Sequence, residues 1–222
     1  MTLQRWKTDP ILRDCPREEQ GHQKKKLMNY EDVYRKEFLD CDPLRDWESI
    51  DRCRYLWNWC MTTLYNKWPH ELPKTWKILD IGTKDGQFPQ WLRETGHEQA
   101  MGTEISGPYV DYAKGKGRPV VWGDVCNMDV SWTDNFDFVF AHHVLGLTPD
   151  YMKALEEMYR VTNKYMVALN QVPGNKQKHY SYISSPDIFY EFVENNPCEV
   201  IWNDYLETGF SNEWVIFVKK GE

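Results

Sequence analysis

Five short apolar runs in this 222-residue chain end on residues able to bind or transform a ligand. Asp80, Gly82, Asp85 and Gly86 follow the first run, Glu104 the second and Asp124 the third; His142 and His143 follow the fourth, and Asn170 and Gln171 the fifth. A glycine turn lets backbone amides approach a ligand with no Cβ in the way. A carboxylate accepts two hydrogen bonds, so Glu104 suits both hydroxyls of a ribose. Asp124 can accept from an exocyclic amine such as that of adenine. Taken in order, the three describe a nucleoside lying across strand ends. Each residue also has an ordinary role, as turn former, helix cap or solvated charge. Their joint occurrence in the order a nucleoside site requires carries the reading. The histidines add different chemistry, because neutral imidazole is the side chain best poised as a base near neutral pH. Adjacent side chains of extended backbone point to opposite faces, which predicts that only one of His142 and His143 lines a pocket. His179, Tyr180 and Tyr182 form a second candidate cluster.

Those residues need a scaffold that brings strand ends together. Apolar runs at 76–81, 100–105, 119–122, 136–141 and 165–169 read as strands, and helical spacing falls at 87–94, 109–114, 150–161 and 186–194. Ser184-Ser185 is a plausible cap for the last helix. Segments 200–205 and 213–218 read as strands joined by a short turn, hence an antiparallel pair. Alternating strands and helices predict an α/β fold: a Rossmann-like, doubly wound, seven-stranded sheet, mostly parallel, with an antiparallel C-terminal strand pair. Ligands in such sheets bind beyond the carboxyl ends, near the switch in strand order. Residues 1–28 read as a flexible arm and 76–222 as the core domain. Between them, residues 29–75 carry a short helical pattern around Val33–Phe38, spelled Val33, Tyr34, Glu37 and Phe38, and a longer one after Pro43. This segment is expected to act as a helical lid whose tryptophans close the site; the alternative is that it covers one sheet face.

From about Lys77 onward the chain resembles the class I S-adenosylmethionine-dependent methyltransferases, in their small-molecule branch. ILDIGTKDGQF is similar to the family's first motif, MGTEIS to the next and WGDV to the third. FDFVFAHHVLGLTPDYMKALEEMYRV and the tail HYSYISSPDIFYEFV also resemble that branch. The resemblance implies S-adenosyl-L-methionine as cofactor. It places Asp80 near the methionine part and Gly82, Thr83, Lys84 and Gly86 in the first turn. Glu104 takes the ribose position with Ile105 beside it, Asp124 takes the adenine position, and Val125 packs by the ring. Family members usually have three glycines in the first turn; Thr83 and Lys84 leave this chain with two.

Composition narrows the acceptor. The net charge of −7 argues against a nucleic-acid backbone as partner. The fourth strand ends in Ala141-His142-His143-Val144, where base-amine methyltransferases often carry an Asn/Asp-Pro-Pro-aromatic turn. None of the six cysteines forms a CxxC pair, and no local His/Cys cluster has zinc spacing, so no metal is expected. No apolar run is long enough to span a bilayer, and reduced thiols fit the cytoplasm. The expected activity is methyl transfer to a small-molecule, sugar or lipid-headgroup acceptor, with His142 or His143 as base. Three other readings are a nucleic-acid methyltransferase, an NAD-type oxidoreductase and a non-catalytic binding protein. The first turn lacks the GxGxxG spacing of the dinucleotide binders.

Overall fold

Strand β1 (Ile78–Ile81) is buried along its whole length, as a strand covered on both faces must be. Around it the computed structural model describes residues 48–67, 73–170, 183, 185–207 and 212–221. The other strands are β2 (Ala100–Glu104), β3 (Val120–Trp122), β4 (Phe136–His142), β5 (Thr162–Asn170), β6 (Cys198–Glu207) and β7 (Asn212–Lys220). They form one seven-stranded sheet in the order β3-β2-β1-β4-β5-β7-β6. The first five are parallel, β7 runs antiparallel to β5, and β6 is antiparallel to β7. The chain winds outward from β1 to β3 and then returns to β4 on the other side of β1. The switch in strand order thus lies between β1 and β4, which places the ligand crevice at their carboxyl ends.

The helices are α1 (Glu48–Lys67), α2 (Gln87–Glu94), α3 (Gly107–Gly115), α4 (Tyr151–Val161) and α5 (Asp187–Asn195). All seven expected strands form, and the last three are longer than their apolar runs. Helix α4 passes into β5 without a loop, so the strand starts at Thr162. The cap of α5 is shifted by one residue: Pro186 occupies the cap position while Ser185 Oγ accepts from Asp187 N at 3.2 Å. The arm at 1–28, the short helix expected around Val33–Phe38, Gln171 and the His179-Tyr180-Tyr182 cluster lie outside the described residues.

Two apolar layers sandwich the sheet. Leu155 and Met158 of α4 and Phe189 and Phe192 of α5 pack with Val139, Met166 and Ile216 on one face. On the other, Leu56, Trp57, Cys60 and Leu64 of α1 join Phe88 and Leu92 of α2 over Phe138, Phe140, Val167 and Phe217. Much of the aromatic content lies in this second layer. Phe138, fully buried, makes an edge contact with Trp57 at 5.1 Å between ring centroids and touches Trp76, Tyr165 and Phe217. Edge and offset ring pairs add to the burial gain. Helix α1 therefore lies on a sheet face over its middle turns, with its early residue Cys53 beside His142 at the end of β4. No helix among the described residues is long and apolar enough to cross a membrane. Phe138→Ala should lower unfolding stability by about 3–5 kcal/mol, measured by urea denaturation, because it opens a cavity that four rings line.

Candidate active site

The first turn is built by close approach. Gly82 has φ 69°, and a Cβ there would fall 2.4 Å from Cγ2 of Val144, the residue after the histidine pair. The N–H groups of Gly82 and Thr83 both donate to the Thr103 carbonyl, at 2.8 and 3.2 Å. Thr83 lies against Gly102 of β2, where any side chain would collide with it. Lys84 is also left-handed, at φ 54°, and its N–H donates to Glu104 Oε2 at 3.0 Å. Beneath the turn Asp80 is 4 % exposed. Burial pushes its carboxyl up to about 7, with the Thr83 hydroxyl opposing the shift and the Glu104 charge adding to it. Asp85 has a different task. Arg118 donates to its carboxylate at 2.6 Å and to its carbonyl at 2.9 Å, and Gln87 binds it from the start of α2. Its carboxylate holds the turn rather than a ligand.

The next two strand ends are tied to this turn. Glu104 is nearly buried; its Oε1 accepts from Ser106 N at 2.8 Å, so each oxygen already takes one backbone N–H. Burial raises its pKa and these donors oppose the rise. A carboxylate oxygen has two acceptor positions, which leaves one on each oxygen for a diol. Gly123 N donates to the Glu104 carbonyl at 3.0 Å, drawing the end of β3 alongside. Asp124 Oδ1 accepts from Cys126 N at 2.9 Å in a short turn, and Val125 is buried behind it. Trp122, read from the sequence only as the end of the third strand, is 61 % exposed and donates from Nε1 to the Ile105 carbonyl at 2.9 Å. Asn170 is structural: buried, it accepts from Gly146 N at 3.1 Å and fixes the loop after β4.

The histidines depart from expectation. His143 has φ 59°, so the extended backbone that would separate the two rings stops at His142. The rings instead lie side by side, 4.0 Å between centroids. Both face Glu213 near the start of β7, which has no exposed side-chain surface. His142 Nε2 lies 3.2 Å from Oε2 and 3.4 Å from Oε1 of Glu213. His143 Nε2 is 3.1 Å from Oε1, yet that buried nitrogen has no aligned hydrogen-bond partner among the described residues. The two imidazoles hold Glu213 well below the usual carboxylate range against the opposing effect of burial. On the far side of His142, Nδ1 contacts Cys53 Sγ at 4.0 Å. Glu213 was missed because it lies 71 residues after His142. The alternation of β7 is a usable signal: Glu213 shares a face with Val215 and Phe217, both core residues, and so had to be buried.

This geometry can be set beside known proteins. A family model described as a methyltransferase domain matches residues 79–165, from β1 into β5. That stretch contains the turn after β1, Glu104, Asp124 and the histidine pair. Among solved structures it is similar to magnesium protoporphyrin IX methyltransferase from Synechocystis PCC 6803 with bound SAM. That match has a TM-score of 0.62 at 14% identity, over 88% of this chain and 99% of that one. The PH0226 protein from Pyrococcus horikoshii OT3 gives 0.61 at 13%, over 85% and 98%. The [4+2]-cyclase SpnF gives 0.59 at 12%, over 82% and 86%. At such identities the likeness is one of fold, and a fold hosts more than one reaction. No curated protein matches the chain.

The methyltransferase cosubstrate is S-adenosylmethionine, and the described residues suit it. The close packing around Gly82 and Gly102 leaves backbone where side chains would intrude, and buried carboxylates line the first two strand ends. A cationic ligand favours ionised Asp80. The affinity of a cation that binds beside Asp80 should therefore strengthen severalfold as pH rises through about 7. Calorimetry on either side of that value checks this, and Asp80→Asn should flatten the dependence. In the unliganded protein the sign reverses. The folded carboxyl is raised, so its ionisation costs stability between about 4 and about 7. Asp80→Asn should melt higher than the parent above that window, with the difference fading toward its acid end.

Proposed function

We propose that this methyltransferase acts on a small-molecule acceptor presented at the His142–His143–Glu213 cluster. The observation that carries this is the packing of Gly82 against Val144, which sets the cofactor turn directly beside the residue after His143. In this reading Asp80, Gly82, Thr83, Lys84 and Gly86 form the seat of the methionine part. Glu104 and Ile105 take the ribose, and Asp124 and Val125 take the adenine. Trp122 stands between those two strand ends and borders the same seat. S-adenosylmethionine supplies a methyl on a sulfonium, which passes in line to the acceptor's lone pair as the carbon–sulfur bond breaks, leaving S-adenosylhomocysteine.

The chain's own residues then have two tasks: to align the acceptor and to help it lose a proton where its nucleophile is a hydroxyl. His142 and His143 are the catalytic groups for the second task, held in place by Glu213. A small acceptor fits the acidic chain and the absence of an amine-gripping turn after β4. The Synechocystis neighbour is a magnesium protoporphyrin IX methyltransferase, which is in keeping with a small-molecule acceptor.

Two substitutions test the reading. Asp124→Ala should weaken S-adenosylmethionine binding about tenfold, roughly one good hydrogen bond, with little change in melting temperature. A large drop in melting temperature with unchanged affinity would reduce Asp124 to a turn residue. His143→Asn should lower labelled-methyl transfer to phenol, sugar or amine pools by about 100-fold or more, the range typical of lost proton-transfer assistance. Unchanged turnover would remove the cluster from the reaction. Tight NAD binding with no response to S-adenosylmethionine would overturn the whole assignment.

A further inference from the structure

We infer that His142, His143 and Glu213 form a binding site for one divalent transition-metal ion. The inference rests on reading this cluster as the acceptor site, and it sharpens that reading by making the imidazoles ligands rather than bases. The three side chains each bring one ligand atom, and these atoms all lie within 4.8 Å of one another. Metal–ligand bonds of about 2.0–2.2 Å put neighbouring ligand atoms roughly 3–3.5 Å apart around an ion. The His142–Glu213 and His143–Glu213 separations, 3.2 and 3.1 Å, have that size.

The placing of His143 supports the same centre, because a ligand of an ion points at the ion and not at its neighbour. His143 Nε2 is buried and close to a carboxylate oxygen without the alignment of a hydrogen bond. Cys53 sits on the Nδ1 side of His142 and so acts as an outer partner that orients the ring with Nε2 toward Glu213.

Two imidazoles and one carboxylate suit zinc, iron(II), cobalt(II) or nickel(II), whereas magnesium and calcium prefer all-oxygen sites. Three protein ligands leave at least one position for a small molecule, as in catalytic zinc sites. The acceptor class that follows is a molecule with an oxygen, nitrogen or sulfur donor able to bind the ion. Coordination acidifies such a group, and its proton leaves to solvent.

The test uses the full chain without a tag, stripped by chelator and titrated with cobalt(II) and then zinc(II). Visible absorption and elemental analysis are the readouts. The parent should bind one equivalent of cobalt(II) with visible bands that zinc(II) bleaches. Glu213→Gln and His143→Asn should each weaken binding by at least about 100-fold, the upper end of what losing an outer partner alone costs. Asparagine tolerates the left-handed backbone at 143. Calorimetry with S-adenosylmethionine, expected to change less than about threefold, shows that both variants are folded. The site is overturned if the parent binds no cobalt(II), or if both variants bind it as tightly as the parent. Failure of the two readings looks different. Metal binding without S-adenosylmethionine binding sinks the methyl-transfer assignment and leaves the ion site standing. Lost turnover in His143→Asn with no bound ion returns the imidazoles to the role of bases.

Discussion

A carboxylate with no solvent exposure has to be compensated by the protein or its ligands. Glu213 is in that position, and the answer to it organises the carboxyl edge of the sheet. Removing an ion from water costs several kcal/mol even after relaxation, so the groups around it cannot be incidental. Two imidazoles from the end of β4 meet the oxygens of Glu213. His143 has to leave the extended conformation to join them, at φ 59°. That turn in the chain brings Val144 against Gly82, and the loop beyond it is held by Asn170. Helix α1 closes the arrangement from above the sheet face, with Cys53 behind His142.

The consequence is a site whose two halves share a wall. On one side, Gly82, Thr83, Lys84 and Glu104 are linked through backbone hydrogen bonds to Thr103 and through the Glu104 carboxylate. On the other side stands the histidine pair. The contact between Gly82 and Val144 has no room for even one methyl group. Close packing of this kind transmits small displacements instead of absorbing them. The aromatic layer under α1 gives both halves a stiff base, because Phe138 and Phe140 of β4 are locked among Trp57, Trp76, Phe88 and Phe217.

The sheet was legible in the sequence because its strands are apolar runs bounded by turn residues. Helix α2 matched its expected span because Gly86 marks its start and Phe88 and Leu92 keep helical spacing. The linked turns at the ends of β1, β2 and β3 were legible because Gly82, Glu104 and Asp124 end or follow their strands directly. Sequence signals failed where long-range contact decides the role. Asp85 looked like its acidic neighbours until Arg118, 33 residues on, claimed it. The period-two rule misplaced His143, since it applies only while backbone stays extended, and histidine is among the residues that tolerate the left-handed region. Glu213 had no local motif at all, and only its inward register on β7 marked it.

Lys84 carries a different lesson. A non-glycine residue in the left-handed region costs roughly 1–2 kcal/mol. The same residue restricts the unfolded chain more than glycine does, and relief of that entropy is worth about 0.4–1 kcal/mol. The net penalty for replacing the family's middle glycine is therefore about 1 kcal/mol, small beside a folding stability of about 5–15 kcal/mol. Its amide still reaches Glu104, so the shape of the turn survives the substitution. Counting glycines measures how freely a loop of this kind can be drawn by mutation, and says little about whether it still makes the same backbone hydrogen bonds.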